Sequence, residues 1–240
     1  MSLLFAAGTR PRADDLERLA ATQLGDGISF TISHRPEPGA GWLELLAQGL
    51  TFDCTGLIPA DPAPMPPAEQ FYGIDPALAE QELGVIALGP GPHLAAGARL
   101  VPLVRTIVGL GARLTALPGI TAICWHPARS WIEPAYFART VGEWLRGGAF
   151  PALGLTALKR SADGTLSSTG LGFLIGQEIE LTVPGDASSA DAARLAVRII
   201  HDLVAGGPLT VPDRLTGPAG EVLDAVPGRD LSVLRIAWRR

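Results

Sequence analysis

The stretch Ile120–Val183 constrains the fold more than any other part of this chain. Its first residues, Ile120–Trp125, form an apolar run that is typical of a buried strand. Glu133–Arg146 follows with apolar side chains at helical spacing, and Leu153–Arg160 then leads into an Asp-Gly turn signal within Ser161–Gly164. We therefore expect a strand, a helix and a β-hairpin in succession, without a complete set of catalytic residues.

The rest of the chain continues this mixture of helical and alternating patterns. Helices are predicted over Ala13–Leu24, Leu94–Leu114 and Ser188–Val204, and Pro102 is expected to kink or restart the second of them. Strands are predicted over Ile28–His34, Trp42–Cys54 (as two strands), Leu83–Leu88, Gln177–Val183 and Leu231–Trp238. This order favours an α+β fold in which mixed or antiparallel sheets pack against helices.

The length of 240 residues suits one compact domain, which we predict over residues 1–240. A weak internal echo links Cys54-Thr55-Gly56-Leu57 to Ser168-Thr169-Gly170-Leu171. It raises the hypothesis of two pseudo-duplicated α/β units, with halves 1–126 and 127–240.

Composition indicates a large interior. Hydrophobic residues make up 47% of the chain and charged residues only 18%. This balance fits either a well-buried globular domain or an apolar face shared with a second subunit, so a homodimer is one expectation. No window approaches about 20 uncharged apolar residues, and the N-terminal apolar run is too short for a signal peptide. We expect a cytoplasmic protein that does not engage a membrane.

The net charge argues against a nucleic-acid partner. The chain carries −5 at pH 7, and Lys159 is its only lysine. Non-specific nucleic-acid binding needs a positive field, which this balance does not provide. The glycine-containing runs Gly170-Leu171-Gly172 and Gly89-Pro90-Gly91 are not nucleotide loops, because the first shows no helix pattern after it and the prolines near the second remove amide donors. No cofactor is predicted.

Metal binding is not predicted either. Cys54 and Cys124 are the only thiols, and both lie in strand-like apolar runs where a buried, inert thiol is the usual outcome. The histidines are far apart in the sequence, at His34, His93, His126 and His201. None of them forms the close pair that metal sites often use.

Pro59–Pro67 has five prolines in nine residues, so it cannot be a helix or a central strand. We interpret it as an extended crossing over the surface. A plain loop is the simpler hypothesis, and a docking segment for a polyproline-recognising partner is the alternative.

Several short motifs in the C-terminal half resemble a bacterial family of uncharacterised proteins, domain of unknown function forty-two sixty-one. They are Ala122-Ile123-Cys124-Trp125, Ser168-Thr169-Gly170-Leu171 and Gly176-Gln177-Glu178-Ile179-Glu180. The helix from Ser188 and the closing strand continue the order of elements. The chain departs from the Phe-Gly-x-x-Glu pattern of that family at Leu174-Ile175-Gly176-Gln177-Glu178. The resemblance implies a fold grouping and carries no established activity.

His126 is the strongest single candidate for chemistry, because it follows a predicted strand, where sites often lie in α/β folds. Glu133, Glu143 and Glu178 are candidate companions for a general base. The alternative for His126 is an ordinary loop histidine packed beside Trp131. The tryptophans Trp125, Trp131 and Trp144 could line a pocket, although plain core is the commoner role.

Two functional hypotheses follow from these patterns. The first is a non-enzymatic binding or protein-interaction module, favoured by the oily composition, the proline-rich segment and the missing catalytic set. The second is a hydrolase-type enzyme with a dispersed site around His126.

Overall fold

The α+β fold class is confirmed by the structure, a computed structural model. It describes residues 1–22, 27–37, 39–185, 187–217 and 220–239. The chain divides into two compact units, Met1–Gly148 and Ala149–Arg240. Among the helices of the described ranges, none combines the length and apolar character needed to cross a lipid bilayer.

The first unit is built on a mixed eight-stranded sheet. Its strands are β1 (Ser2–Ala6), β2 (Thr31–His34), β3 (Trp42–Ala47), β4 (Leu50–Thr55), β5 (Gln70–Tyr72), β6 (Leu83–Pro90), β7 (Ile120–Trp125) and β8 (Ser130–Ile132). Their spatial order is β2-β3-β4-β6-β1-β7-β8-β5, and the only parallel pair within this sheet's described strands is β5 with β8. Its helices are α1 (Ala13–Ala21), α2 (Val101–Leu114) and α3 (Pro134–Leu145), with 3₁₀ turns at Pro76–Glu80, Pro92–Gly97 and His126–Ala128.

Both faces of the central strands of this sheet are covered. Helices α2 and α3 pack together and contact strands β4, β6 and β7. The other face carries a core of Leu4, Leu83, Val85, Ala122, Cys124 and Trp131. Ala63, within the proline-rich segment, packs over that core, as do Ala68, Phe71, Ile74 and Leu78 in the chain that follows. Pro59–Pro67 itself has neither helix nor strand, as predicted. This segment and the residues after it pack on the core.

The second unit is a two-layer structure. Its strands are β9 (Ala157–Arg160), β10 (Leu166–Thr169), β11 (Glu178–Thr182), β12 (Asp213–Thr216), β13 (Val222–Pro227) and β14 (Val233–Arg239). Its helices are the short turn α4 (Ala152–Leu155), α5 (Leu171–Ile175) and the long α6 (Ser189–Gly206). The strand order is β12-β13-β14-β11-β10-β9, with β11 and β14 parallel.

Local signals in the sequence account for the best-predicted elements. Ser188 caps α6 by accepting the amide of Asp191 at 3.0 Å, and Gly207, at φ +89°, ends the helix. Arg160 lies opposite Leu166 in the β9–β10 hairpin, as the Asp-Gly turn predicts. Both cysteines are free and buried, as expected.

Other predicted elements need correction. Of the predicted helix Leu94–Leu114, the first part is only a 3₁₀ turn, Pro92–Gly97. The restart expected at Pro102 is confirmed, because the chain is extended at Leu100 and α2 begins with Pro102 in its first turn. The predicted strand Leu153–Arg160 begins only at Ala157. Leu153 lies before it with extended backbone angles (φ −77°, ψ 111°), and Gly154, at φ +118°, bends the chain between them. The predicted strand Ile28–His34 is limited to Thr31–His34, and the predicted end of the first helix, Gln23–Leu24, lies outside the described residues.

The two compact units do not coincide with the predicted halves 1–126 and 127–240. The proposed boundary of the halves after His126 falls inside the turn that joins the paired strands β7 and β8. The two compact units instead divide after Gly148, a point that the sequence marks with a Gly-Gly pair. One domain with duplicated halves therefore stays a prediction.

Candidate functional site

His126 lies at the end of β7, where it begins a 3₁₀ turn. Its Nε2 is 2.9 Å from the hydroxyl oxygen of Ser2, whose residue is 1% exposed. The register that places Ser2 opposite Cys124 in the β1–β7 pair brings the two side chains together. The strongest candidate from the sequence therefore has a hydroxyl partner that sequence spacing could not reveal.

The environment of His126 favours the neutral imidazole. Although the residue is exposed overall, partial burial of its ring, together with repulsion of the imidazolium charge by the nearby α-amino group of Met1, lowers its pKa to about 4. The same α-amino group donates to the carbonyl of Leu88 at 2.9 Å, and burial lowers its own pKa to about 6. A histidine with so low a pKa is a weak general base at neutral pH.

Glu133 is not placed to assist His126. It follows β8, where Ile132 lies opposite Ile123, so it is roughly 13 Å from His126 at about 3.3 Å per residue along the strand. Its carboxylate caps α3 by accepting the amides of Ala135 at 2.9 Å and Tyr136 at 2.5 Å. The geometry gives this side chain a structural task.

A cavity of 530 Å³ adjoins Glu133. Asp75 also lines it, and this second carboxylate accepts the amide of Ala77 at 2.9 Å. The two carboxylates among the described lining residues thus already accept backbone amides at the helical turns that they cap. Glu143, the other candidate companion, pairs with Arg139 at 3.8 Å on the exposed side of α3.

Glu178, in the second unit, holds a loop together. Its carboxylate accepts the amides of Gly170 (2.8 Å), Gly172 (2.8 Å) and Leu171 (3.2 Å) and the hydroxyl of Ser168. A Cβ at Gly172 would lie 3.0 Å from Glu178 Oε1, so this glycine allows the close approach. The expectation that no helix follows Gly170 is wrong, because α5 begins at Leu171 around this carboxylate.

The adjacent Gln177 also has a structural role. It is fully buried, and its amide donates to the carbonyls of Leu209 at 3.1 Å and Leu231 at 3.0 Å. Its carbonyl oxygen accepts the amide of Leu209 at 3.2 Å. The Ser-Thr-Gly-Leu and Gly-Gln-Glu motifs are therefore explained by hydrogen bonding that fixes three loops of the second unit.

The candidate pocket tryptophans are all interior. Trp125, Trp131 and Trp144 are each buried. Trp131 lies opposite Cys124 in the β7–β8 pair and packs edge-on against Phe71, with the ring centroids 6.1 Å apart. Trp125 follows Cys124 on β7, so its side chain faces the other side of the sheet. These three side chains do not share one pocket wall.

Metal-binding residues do not converge in the parts of the chain that the structure describes, where no group of three or more His, Cys, Asp or Glu is placed to hold an ion. Each histidine has a separate neighbour: Trp42 for His34, Thr51 for His93, Ser2 for His126 and the Phe150 amide for His201. Burial raises the pKa of both cysteine thiols to about 12, so they remain protonated.

The most extensive feature of the second unit is the exposed face of its sheet. Helix α6 covers one face, on which Leu223, Ala225, Leu234 and Ile236 are buried. The opposite side, here called the open face, presents Lys159, Ser167, Glu180, Thr182, Arg214, Thr216, Val222, Asp224, Val226, Arg235 and Ala237. Val222 and Val226 are 42% and 49% exposed, although both occupy strand positions. Strand β14 is predicted from the sequence, but β13 is not, because the apolar Val222 and Val226 on the open face remove the alternation that marks a half-buried strand.

Comparison with known proteins adds no relative: no family model, no curated protein and no solved structure matches the chain. The resemblance to the domain of unknown function forty-two sixty-one therefore stays a prediction.

Proposed function

We propose that this protein is a non-enzymatic binding module that self-associates through the open face of its second unit. The observation that supports this most is the exposure of Val222 and Val226 on β13, the strand next to the edge strand β12, on the face of the sheet opposite α6. Exposed apolar side chains grouped on one face are typical of interaction surfaces.

The charges of the open face favour a second copy of the chain as the occupant. Neighbouring strands carry opposite signs: Arg235 pairs with Glu180 at 3.2 Å, and Arg214 pairs with Asp224 at 3.5 Å. A surface with alternating signs can match its own image across a two-fold axis. The same balance does not suit a polyanion such as nucleic acid.

A mass measurement by light scattering after size exclusion tests the proposal. We expect a dimer whose fraction rises with protein concentration, and Val226→Asp should convert it to monomer because a carboxylate would be desolvated in the interface. Val101→Asp is the matched control, since Val101 is 40% exposed at the start of α2 in the first unit. A monomer at every concentration, or equal effects of the two variants, would contradict the proposal.

The cytoplasmic location is part of the same proposal. It is supported by the two cysteines, which are both free thiols in an interior where neither pairs with the other. Free, buried thiols suit a reducing compartment. A fluorescent fusion followed in cells would test it.

One observation favours the hydrolase alternative. The 2.9 Å contact between Ser2 and His126 has the geometry of a nucleophile and its base. Ser2 is nevertheless almost fully buried, so an acyl substrate could not reach its hydroxyl without displacing neighbouring strands. We expect no turnover of p-nitrophenyl acetate above that of the Ser2→Ala variant, and a loss of turnover in that variant would favour the enzyme.

A further inference from the structure

A cavity of 460 Å³ lies along helices α2 and α3 of the first unit. Small residues form much of its wall, namely Gly109 and Ala112 from α2, Ala116 just after the end of that helix, and Ala138 and Gly142 from α3. Ile28 closes one side, because its Cδ1 is 2.2 Å from the place where a Cβ of Gly109 would be. The cavity therefore has an apolar surface with little side-chain bulk.

Arg113 gives this cavity a buried positive charge. The residue is 9% exposed, and its Nη2 donates to the carbonyl oxygens of Leu19, at 2.8 Å, and Thr22. Its Nη1 is buried without a hydrogen-bond acceptor among the described residues. Burial lowers the pKa of Arg113, but an arginine stays cationic at neutral pH.

No described residue that lines the cavity can neutralise this charge by ionising. None of them is acidic. The hydroxyl of Thr115 donates to the carbonyl of Ala112 at 2.7 Å. Glu143 of α3 pairs with Arg139. Arg146 adds a second guanidinium at the rim, since its Nη1 is 3.4 Å from the Cβ position of Gly142. Among the described residues, the Arg113 guanidinium is thus held only by carbonyl oxygens and keeps Nη1 unpaired, a costly arrangement that an anion would relieve.

We propose that this cavity binds a small organic oxyanion, with the anionic oxygens on Arg113 and Arg146 and a short aliphatic body against the glycines and alanines. Guanidinium donors bind carboxylate and phosphate oxygens strongly, and the small-residue walls match an alkyl chain. The site lies within the first unit and does not depend on the self-association proposed for the second.

Butyrate and propyl phosphate are suitable probes, with propanol as the neutral body and sodium chloride as the ionic control. The methyl signal of Ile28 in NMR reports on the cavity, and that of Ile200, fully buried in α6 of the second unit, is the internal reference. We expect a saturable shift at Ile28 alone with at least one of the oxyanions, and the stronger one identifies a carboxylate or a phosphate ligand. No saturable shift, or an equal shift with propanol, would overturn the proposal.

Three variants keep the test independent of folding. Arg146→Gln removes an exposed rim charge and should weaken binding about tenfold. Gly142→Ala should raise the Tm, because alanine favours the helix, while weakening binding by narrowing the cavity. Asp26 lies outside the described residues, and it directly precedes Gly27, which lines the cavity, so its carboxylate is included in the test. Binding that appears only in Asp26→Asn would show that Arg113 is neutralised internally and would overturn the proposal.

Discussion

The two sheets of this protein differ in whether neighbouring strand residues, which point to opposite faces, are both buried. In the first unit, consecutive residues Leu3 and Leu4 of β1 are both fully buried, because helices cover one face and the chain after the proline-rich segment covers the other. In the second unit, Leu223 is fully buried and its neighbour Val222 is 42% exposed. A strand covered on both faces serves only the core, whereas a strand covered on one face leaves the other available for recognition.

The largest expected effect tests the first half of this comparison. Leu3→Ala and Leu4→Ala should each lower the free energy of unfolding by about 2–5 kcal/mol, because each removes a fully buried side chain from a packed face. Urea unfolding followed by tryptophan fluorescence measures both. A cost below about 1 kcal/mol for either variant would show that one face of β1 is not packed.

In the second unit, substitutions at two neighbouring residues of β13 should lower the free energy of unfolding by unequal amounts. Leu223→Ala should cost about 2–5 kcal/mol, whereas Val222→Ala should cost no more than about 1 kcal/mol, most of it from β-propensity. Unfolding at low protein concentration keeps self-association out of the measurement. Equal costs at low concentration would mean that the open face is packed within the chain, which would remove the support for self-association.

A smaller effect is expected at Gln177. Gln177→Leu fits the buried volume but leaves two carbonyls and one amide without their partner, so we expect a loss of about 1–3 kcal/mol. Gln81→Leu is the matched control, because Gln81 is exposed. If both variants behave alike in thermal unfolding, the three loops are held by packing rather than by this side chain.

Sequence patterns predicted elements with local signals and failed where tertiary pairing decides. Helices α3 and α6 and the β9–β10 hairpin have caps, turns or clear periodicity, and they were predicted within a few residues. Strand β1 was missed because burial on both faces removes the alternation that marks a strand. Helix α5 was missed because five residues are too few for a helical period, and its start is set by Glu178.

The site contacts were less accessible still. Ser2 is 124 positions from His126, and only the register of β1 against β7 joins them. Arg113 lay within a predicted helix, where nothing in the sequence distinguishes it from an exposed arginine. Residue types could therefore nominate His126, but not its partner or the buried cation.

The smallest expected effect is the pH dependence that His126 contributes. Its folded pKa of about 4 lies below the ordinary value of 6.5, so between these values the unfolded chain binds the extra proton more readily. Stability from this group is present above pH 6.5 and is lost as the pH falls toward 4. The Met1 amine, with a pKa lowered to about 6, acts in the same direction at somewhat higher pH.

We expect the Tm of His126→Gln to fall less than that of the unchanged protein between pH 6.5 and 4, and an NMR titration of the imidazole gives the pKa directly. A titration midpoint near 6.5 would show that the Ser2-facing edge of the ring is solvated, which would make room for a substrate and strengthen the hydrolase alternative.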